Sequence, residues 1–545
     1  MTSKPAASIA VVLAMASVVA LAQGSSDEPD LGVYARIRDE GFSRSRVMDY
    51  AFELMDRIGA RLSGSPNLDR AVAWTMGALR QSGLANVRQD RWGEFGLGWR
   101  QRSVAVDMLE PEAATIVAAV APWSPSTRGR VTAEAVYVRG FNDDTGFAPL
   151  HGTLKDKIVV LGRAPGPPEV VPIDRPLFER FTDEQLAELA RPVSAASGDD
   201  AAELERAFAN AAFYERVGRF LADEGVRAVL TPTGNNARGG LSGGVVVTDW
   251  NYTLGMFAFR KDRAMRVPVV VVSIESFGRL SRLLERKVPV RVAVNADVEF
   301  TGDRVPGFNV FAEIPGTDPA RGQDVVMVSA HLDSWAGGTG ATDDGAGVVI
   351  AMEAMRILSA LGVRPRRTIQ LALWTGEEQG LFGSLAWVSR ELATVTRAES
   401  PTSQFLPEAL RRLAGAPVPK PAHARLSALY NLDQGGGKIR GVRMNGNSAM
   451  APIFERWIAP LKDLGVAIVS PRGGCASDCA PFADAGIPTP LFLQDPLDYT
   501  TRTLHSTSDT ADHLIPDDLK QAAVVVATML YNTAQRDELL PRVNR

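Results

Sequence analysis

Cysteine is almost missing from this chain: two of 545 residues, Cys475 and Cys479, both inside GGCASDCAPF. So few thiols exclude a disulfide-stapled scaffold, and with no histidine beside them they make a poor structural zinc site. A local bridge four residues apart and two free thiols both stay open. Histidine is scarce too, with five residues, so a histidine at a ligand position carries weight. Positive charge is not in excess: 59 Lys and Arg against 63 Asp and Glu leave a net charge of −4. That removes the electrostatic case for a nucleic-acid partner. Past the first 22 residues no apolar run is long enough to span a bilayer. HExxH and the P-loop are absent, which disfavours a zincin and a nucleoside triphosphatase. A Ser-His-Asp triad built on Ser329 or Ser334 would lack a nucleophile turn.

What is present begins with residues 1–22. Lys4 precedes an apolar run from Ile9 to Ala22, and Ala20-Leu21-Ala22 has the small-x-small form of a cleavage site. This is the pattern of a secretory signal peptide. The run is about 14 residues against the roughly 20 needed to cross a membrane. Export to the periplasm or the outside is therefore expected, with no membrane span after signal removal; an uncleaved anchor is the alternative. A length of 545 residues exceeds one ordinary core, so two or more domains are expected.

The texture changes twice along the chain. Residues 45–83 carry helical spacing broken at SGSPN (63–67), followed by strand-like pieces near 85–92 and 101–109. From 128 to 296 short β-branched runs dominate: 131–138, 157–162, 228–232, 267–273 and 288–294, with a helix at Arg216–Glu224. Inside this module, 165–212 is rich in Pro, Asp, Glu and Ala. After Val298, strands at 307–314, 324–330, 368–374, 426–432 and 488–493 alternate with helices near 346–361, 380–394, 449–463 and 516–534. The stretch 395–425 reads as a loop insertion with one short helix. The division is thus a catalytic domain from 27–127 and 297–545 with a β-rich module, 128–296, inserted.

Chemistry gathers at the ends of the late strands, where loops of an open α/β sheet converge on one crevice. VVMVSAHLDSWAGGTGATDDG (325–345) delivers His331 and Asp333 on one side of an extended backbone. A carboxylate two residues from a histidine can hold the imidazole while its other nitrogen binds metal. The glycine-rich loop lets Asp343 fold back toward His331. TIQLALW is followed by Glu377-Glu378, LSALYNL by Asp433, and PTPLFLQD leads to His505, with Asp509 four residues on to orient His505 or cap a turn. Each residue alone has an ordinary explanation: a strand-end histidine, a helix N-cap pair, a solvated glutamate, a turn aspartate. Together, two histidines and three carboxylates suit two zinc ions, with one carboxylate bridging and a water left as nucleophile. His151, His423 and His513 are expected to be solvated.

The runs HLDSW, GATDDGAG, LWTGEEQG, NLDQGGG and LHSTSDT resemble the co-catalytic zinc exopeptidases of the bacterial leucyl aminopeptidase and aminopeptidase Y type, and most of all their carboxypeptidase Q branch. The resemblance covers most of 45–535. It implies an α/β fold, a phosphorylase/hydrolase-like mixed sheet flanked by helices, with an inserted β-rich protease-associated domain at 128–296. It implies two Zn2+ per chain: Asp343 bridging, His331 and Asp433 completing one site, Glu378 and His505 the other. Glu377 would be general base and proton shuttle, Asp333 would orient His331, and Tyr499 is the available oxyanion donor. The peptide bond Asp343–Asp344 would be cis. The implied activity is hydrolysis of short peptides or dipeptides by metal-activated water, as aminopeptidase or as carboxypeptidase/dipeptidase, and the branch often forms homodimers. Where many relatives have histidine in an SDH motif, this chain has Ser477-Asp478-Cys479. Arg472, Arg502 and Gly435–Gly437 are candidates for holding a substrate carboxylate, and 395–425 for covering the cleft. Two rivals remain: a receptor-like binding protein on the same scaffold, disfavoured because every ligand is retained, and a one-zinc glutaminyl cyclase, disfavoured by the two-metal set and the insert.

Overall fold

Strand residues of TIQLALW and VVMVSAH alternate between two cores, which sets the architecture of the catalytic half. In the computed structural model Val326, Val328, Ala330, Ile369, Leu371 and Leu373 face one core, while Met327, Ala372 and Trp374 face another. Period-two alternation with apolar residues on both faces is what a sheet covered on both sides requires. The structure describes residues 27–163, 178–192, 211–233, 235–236, 239–240, 244–247, 257–400, 403 and 406–543. The expected signal peptide at 1–22 and most of the 165–212 stretch lie outside them.

Val325–His331 pairs in parallel with Thr368–Trp374 on one side and Leu426–Asn431 on the other, and Leu426–Asn431 with Leu491–Gln494. These four strands end at one edge, as the ligand positions require. Ile439–Arg443 adds antiparallel to Leu491–Gln494, with Ile468–Ser470 outside it; neither strand was foreseen. Thr368–Trp374 also pairs antiparallel with Arg291–Ile314, which makes the sheet mixed. Helices Ala346–Ala360 and Pro516–Gln535 lie on one face and are buried almost all round, the pattern of core helices. Cluster residues such as Val525, Met529 and Leu530 are fully buried, each worth about 1.5–3 kcal/mol of transfer free energy. A buried ion network, Arg356 with Glu40 and Glu353, ties the first helix, Leu31–Ser43, to Ala346–Ala360.

Two expectations change at the insert. The pieces at 85–92 and 101–109 are one strand, Ala85–Glu110, antiparallel to Arg291–Ile314. Across WGEFGLGW the ladder continues through register shifts near Gly93, Gly96 and Gly98, because bulges accommodate glycine without ending the pairing. The long strand Arg291–Ile314 also pairs with Val131–Val138, so one sheet runs on through Ile158–Leu161, Ala228–Pro232, Val269–Val272 and Ala118–Val120. The first four strands of that run, from Val131–Val138 to Val269–Val272, are parallel. An additional amphipathic helix, Ile274–Glu285, follows the last of them and puts Phe277 and Leu280 into a core shared with Trp99, Trp123 and Trp335.

Candidate metal centre

The site is built where the parallel strands end. His331 closes its strand with its ring buried, and its backbone N–H donates to Asp344 Oδ2 at 3.0 Å. Asp344 also accepts from the Gly347 N–H at 3.1 Å, so it caps the central helix and ties it to the strand. Asp343 is left to face the histidines. The bond between the two aspartates is cis, as the resemblance implied. Gly340 has φ +64°, and a Cβ there would lie 2.4 Å from Ser334 Cβ, so only glycine fits this turn.

Donor atoms fall into two groups that share Asp343: His331, Asp343 and Asp433, and Asp343, Glu378 and His505. His331 Nε2 lies 3.2 Å from Asp343 Oδ1 and 3.9 Å from Asp433 Oδ1. His505 Nε2 lies 3.2 Å from Asp343 Oδ2 and 3.1 Å from Glu378 Oε2. All five sequence-derived candidates thus lie together, in two groups that share Asp343. The donor set also fits a pair of cations. Asp343 Oδ2 and Glu378 Oε1 are buried and make no hydrogen bond of proper geometry, an expensive state unless something charged meets them. Two imidazoles and three carboxylates are the ligand chemistry of zinc.

Charge in the site is poised for cations. Burial, which opposes an imidazolium, is outweighed at His331 by Glu377, Asp343, Asp344 and Asp433, and its pKa is raised. At His505 the same burial is outweighed by Glu378 and Asp343. Glu377 sits beside Glu378 but outside both donor groups. Burial, with Asp433, Asp478 and Glu378 adding to it and His331 opposing, pushes its carboxyl well above the ordinary range. Tyr499 donates from its hydroxyl to Asp433 Oδ1 at 3.2 Å, and burial followed by the surrounding carboxylates raises its pKa.

Supporting contacts differ in part from expectation. His331 Nδ1 meets the backbone carbonyl of Asp333 at 3.1 Å, while the Asp333 carboxylate stands 3.8 Å away. That carboxylate accepts instead from Ser63 Oγ at 2.9 Å and the Glu377 N–H at 3.4 Å. It links the two strand-end loops, and the main chain holds the ring. Asp509 does not orient His505; it accepts from Thr342 N and Oγ1 and from Asp343 N. Burial and the Asp343 charge push its carboxyl up to about 7.

The three remaining histidines divide. His151 is exposed beside Glu224, as expected. His513 is not solvated: its Nδ1 lies 2.7 Å from Asp498 Oδ2 in a buried pair. His423 is half-buried, with Nε2 2.8 Å from the Ala485 carbonyl oxygen and Arg542 against Nδ1. Long-range packing claimed both, which no local pattern announces. Ser334 Oγ is taken by the Arg61 N–H and the Trp335 carbonyl, and Ser329 Oγ donates to Asn431, so neither serine serves a triad. Arg472 is engaged by Glu188, which removes it as a ready carboxylate receptor. At the 395–425 stretch, Ala393–Thr394 pairs with Val418–Pro419 around a short helical turn at Glu408–Leu410, and a second turn, Pro421–Arg425, follows.

Arg61, which sequence reading did not single out, completes the site. Arg61 is fully buried and donates to the carbonyls of Leu332, Thr339 and Gly340 at 2.7, 2.7 and 2.9 Å. Burial works against its charge, while Asp509, Asp333, Asp344 and Asp343 support it. Cys475 and Cys479 form a disulfide with Cα atoms 5.9 Å apart. Between them, Ser477 Oγ accepts from Asn431, and Asp478 accepts from Ser384 Oγ. The departure from SDH thus puts a disulfide cysteine where the histidine would stand, while Asp478 before it is buried and its carboxyl is pushed up to about 8 by burial.

Comparison with known proteins gives a consistent picture. The family model described as Peptidase family M28 matches residues 309–530. The chain is 26% identical over 518 residues to carboxypeptidase Q of Pongo abelii, covering 94% of this chain and 89% of that protein. It is similar in structure to a peptidase M28 precursor from Shewanella amazonensis SB2B, with TM-score 0.61, 22% identity, and 94% and 99% of the two chains covered. A zinc aminopeptidase from Bacillus subtilis aligns with TM-score 0.52, 18% identity, and 91% and 95% coverage.

Proposed function

We propose that the chain is a two-zinc exopeptidase of the peptidase M28 type, acting on short peptides or dipeptides. The observation that carries this reading is the pair of donor groups sharing Asp343, with Glu377 free beside them. His331, Asp343 and Asp433 would hold one ion, and Asp343, Glu378 and His505 the other. Zinc bound there supplies Lewis acidity for the scissile carbonyl and lowers the pKa of water toward about 7. Glu377 takes the proton of the attacking water and passes it to the leaving amine. Its buried setting lifts the carboxyl toward the range in which it both accepts and returns a proton. Tyr499 offers its hydroxyl to the developing oxyanion.

We read 27–127 and 297–545 as the catalytic domain and 128–296 as an inserted protease-associated domain. The apolar run at 9–22 supports export, to the periplasm or beyond it, and no helix among the described residues is long and apolar enough to cross a membrane. A homodimer is the assembly we expect.

Glu377→Gln tests the assignment. The variant should retain two zinc ions by elemental analysis while kcat falls about 10²–10⁴-fold; normal turnover would overturn it. Chelation should abolish activity and added zinc restore it. A panel of free and N-blocked dipeptides and tripeptides then reports which end of the substrate is recognised.

A further inference from the structure

The loop that carries His505 is held from outside the catalytic half. Residues 244–247 of the insert lie alongside it: the Val247 N–H donates to the His505 carbonyl at 2.7 Å, and the Thr507 N–H donates to the Val245 carbonyl at 2.8 Å. Val246 and Ser506 form an antiparallel bridge, and the Val245 N–H donates to Thr507 Oγ1 at 3.0 Å. The far side of this strap is fixed as well. Val245 and Val247 are fully buried in the insert's own core with Leu221, Val229 and Val269, and the Val246 N–H donates to Thr233 Oγ1 at 2.7 Å.

His505 is in need of such a hold. Its backbone has φ +56°, in the left-handed region that costs a non-glycine residue and persists only where surroundings impose it. A Cβ on Gly337 would come within 2.9 Å of Val247 Cγ2 and 3.2 Å of Thr507 Cγ2, so strap, His505 loop and the glycine loop before Asp343 are in mutual contact. A second segment of the insert grips the same stretch upstream. Glu179 and Leu497 exchange two backbone hydrogen bonds, at 3.1 and 2.8 Å, and Arg180 pairs with buried Asp495 and Asp518.

We propose that the insert is a working part of the metal centre: its 244–247 strap positions His505, and thereby sets the affinity of the ion that His505 shares with Glu378. The inference rests on His505 being a ligand. Partners that orient a ligand commonly alter metal affinity 10–100-fold when removed. The strap touches one donor group and not the His331 and Asp433 pair, so its loss should be felt by one ion of the two.

The experiment is zinc titration of full-length protein against a chromophoric competing chelator, with circular dichroism as the check on folding. Val247→Pro removes the N–H that meets the His505 carbonyl, and should weaken one of the two zinc sites by about 10-fold or more while leaving the other unchanged. Thr507→Val, close in shape, should weaken the same site by a smaller factor, and Thr507→Ser should restore it. Should Val247→Pro fail to fold, the Thr507 pair decides. Unchanged affinity of both sites in a folded variant, or equal weakening of both, overturns the proposal. A wild-type protein without two zinc sites would instead overturn the functional reading beneath it.

Discussion

His331 and His505 meet at opposite oxygens of Asp343, each with Nε2 3.2 Å from its own oxygen. One carboxylate therefore belongs to both donor groups, whereas Asp433 belongs to one. Substitution should separate these roles. Asp343→Ala is expected to lower zinc at both sites, and Asp433→Ala to leave one ion per chain, measured by elemental analysis after dialysis. Two ions retained in Asp343→Ala would contradict the shared-ligand assignment.

Arg61 makes no carboxylate pair among its hydrogen bonds; its guanidinium is spent on backbone carbonyls, three of them in the His331 and glycine loops and the fourth that of Gly59. Arg61→Met would leave those buried acceptors unmet and remove the cation that supports four neighbouring aspartates. Leaving buried acceptors unmet typically costs about 1–3 kcal/mol each. A chemical denaturation midpoint shifted by this amount is expected, with lysine at 61 recovering only part because it lacks the planar fork. A shift below about 1 kcal/mol would show that the loops hold without it.

How far the sequence speaks can be argued from these residues. His331, Asp343, Glu378, Asp433 and His505 were legible because each follows an apolar strand, and strand ends in an α/β sheet converge whatever their separation in sequence. Arg61 was not legible, since its partners are backbone carbonyls that leave no pattern in residue type. The 244–247 strap is invisible for a similar reason: its bonds to 505–507 are main-chain pairings across the whole catalytic domain. His513 carried a misleading signal, because a histidine near a helix start looks solvated until Asp498 arrives from another loop. The ribbon Ala85–Glu110 read as two pieces, though its glycines bulge the ladder without breaking it.

The Cys475–Cys479 bridge encloses Ser477 and Asp478, which reach Asn431 and Ser384. Closing so short a loop is worth about 2 kcal/mol in the chain-entropy account. The Cys475→Ser/Cys479→Ser double variant should lose about that much by urea denaturation, and a reductant should lower wild type toward it while leaving the variant unmoved. A reductant effect of equal size on both proteins would assign the loss elsewhere.

Tyr499 is the residue whose role the geometry leaves to chemistry. Its hydroxyl donates to Asp433 Oδ1 at 3.2 Å, and burial with the surrounding carboxylates raises its pKa. The sign follows directly: a raised phenol pKa keeps the group protonated, and therefore a hydrogen-bond donor, across the neutral range. A donor within reach of a ligand carboxylate is placed to serve an oxyanion formed beside it. Tyr499→Phe removes the hydroxyl and keeps the ring against Gly435, whose Cβ position lies 3.0 Å from the tyrosine Cβ and Cγ. The expected result is kcat lowered about 10²–10³-fold, as for loss of one oxyanion donor, with KM and zinc content near wild type. A variant that instead loses one zinc with the matching activity would mean that Tyr499 acts by holding Asp433, and the oxyanion assignment would fall.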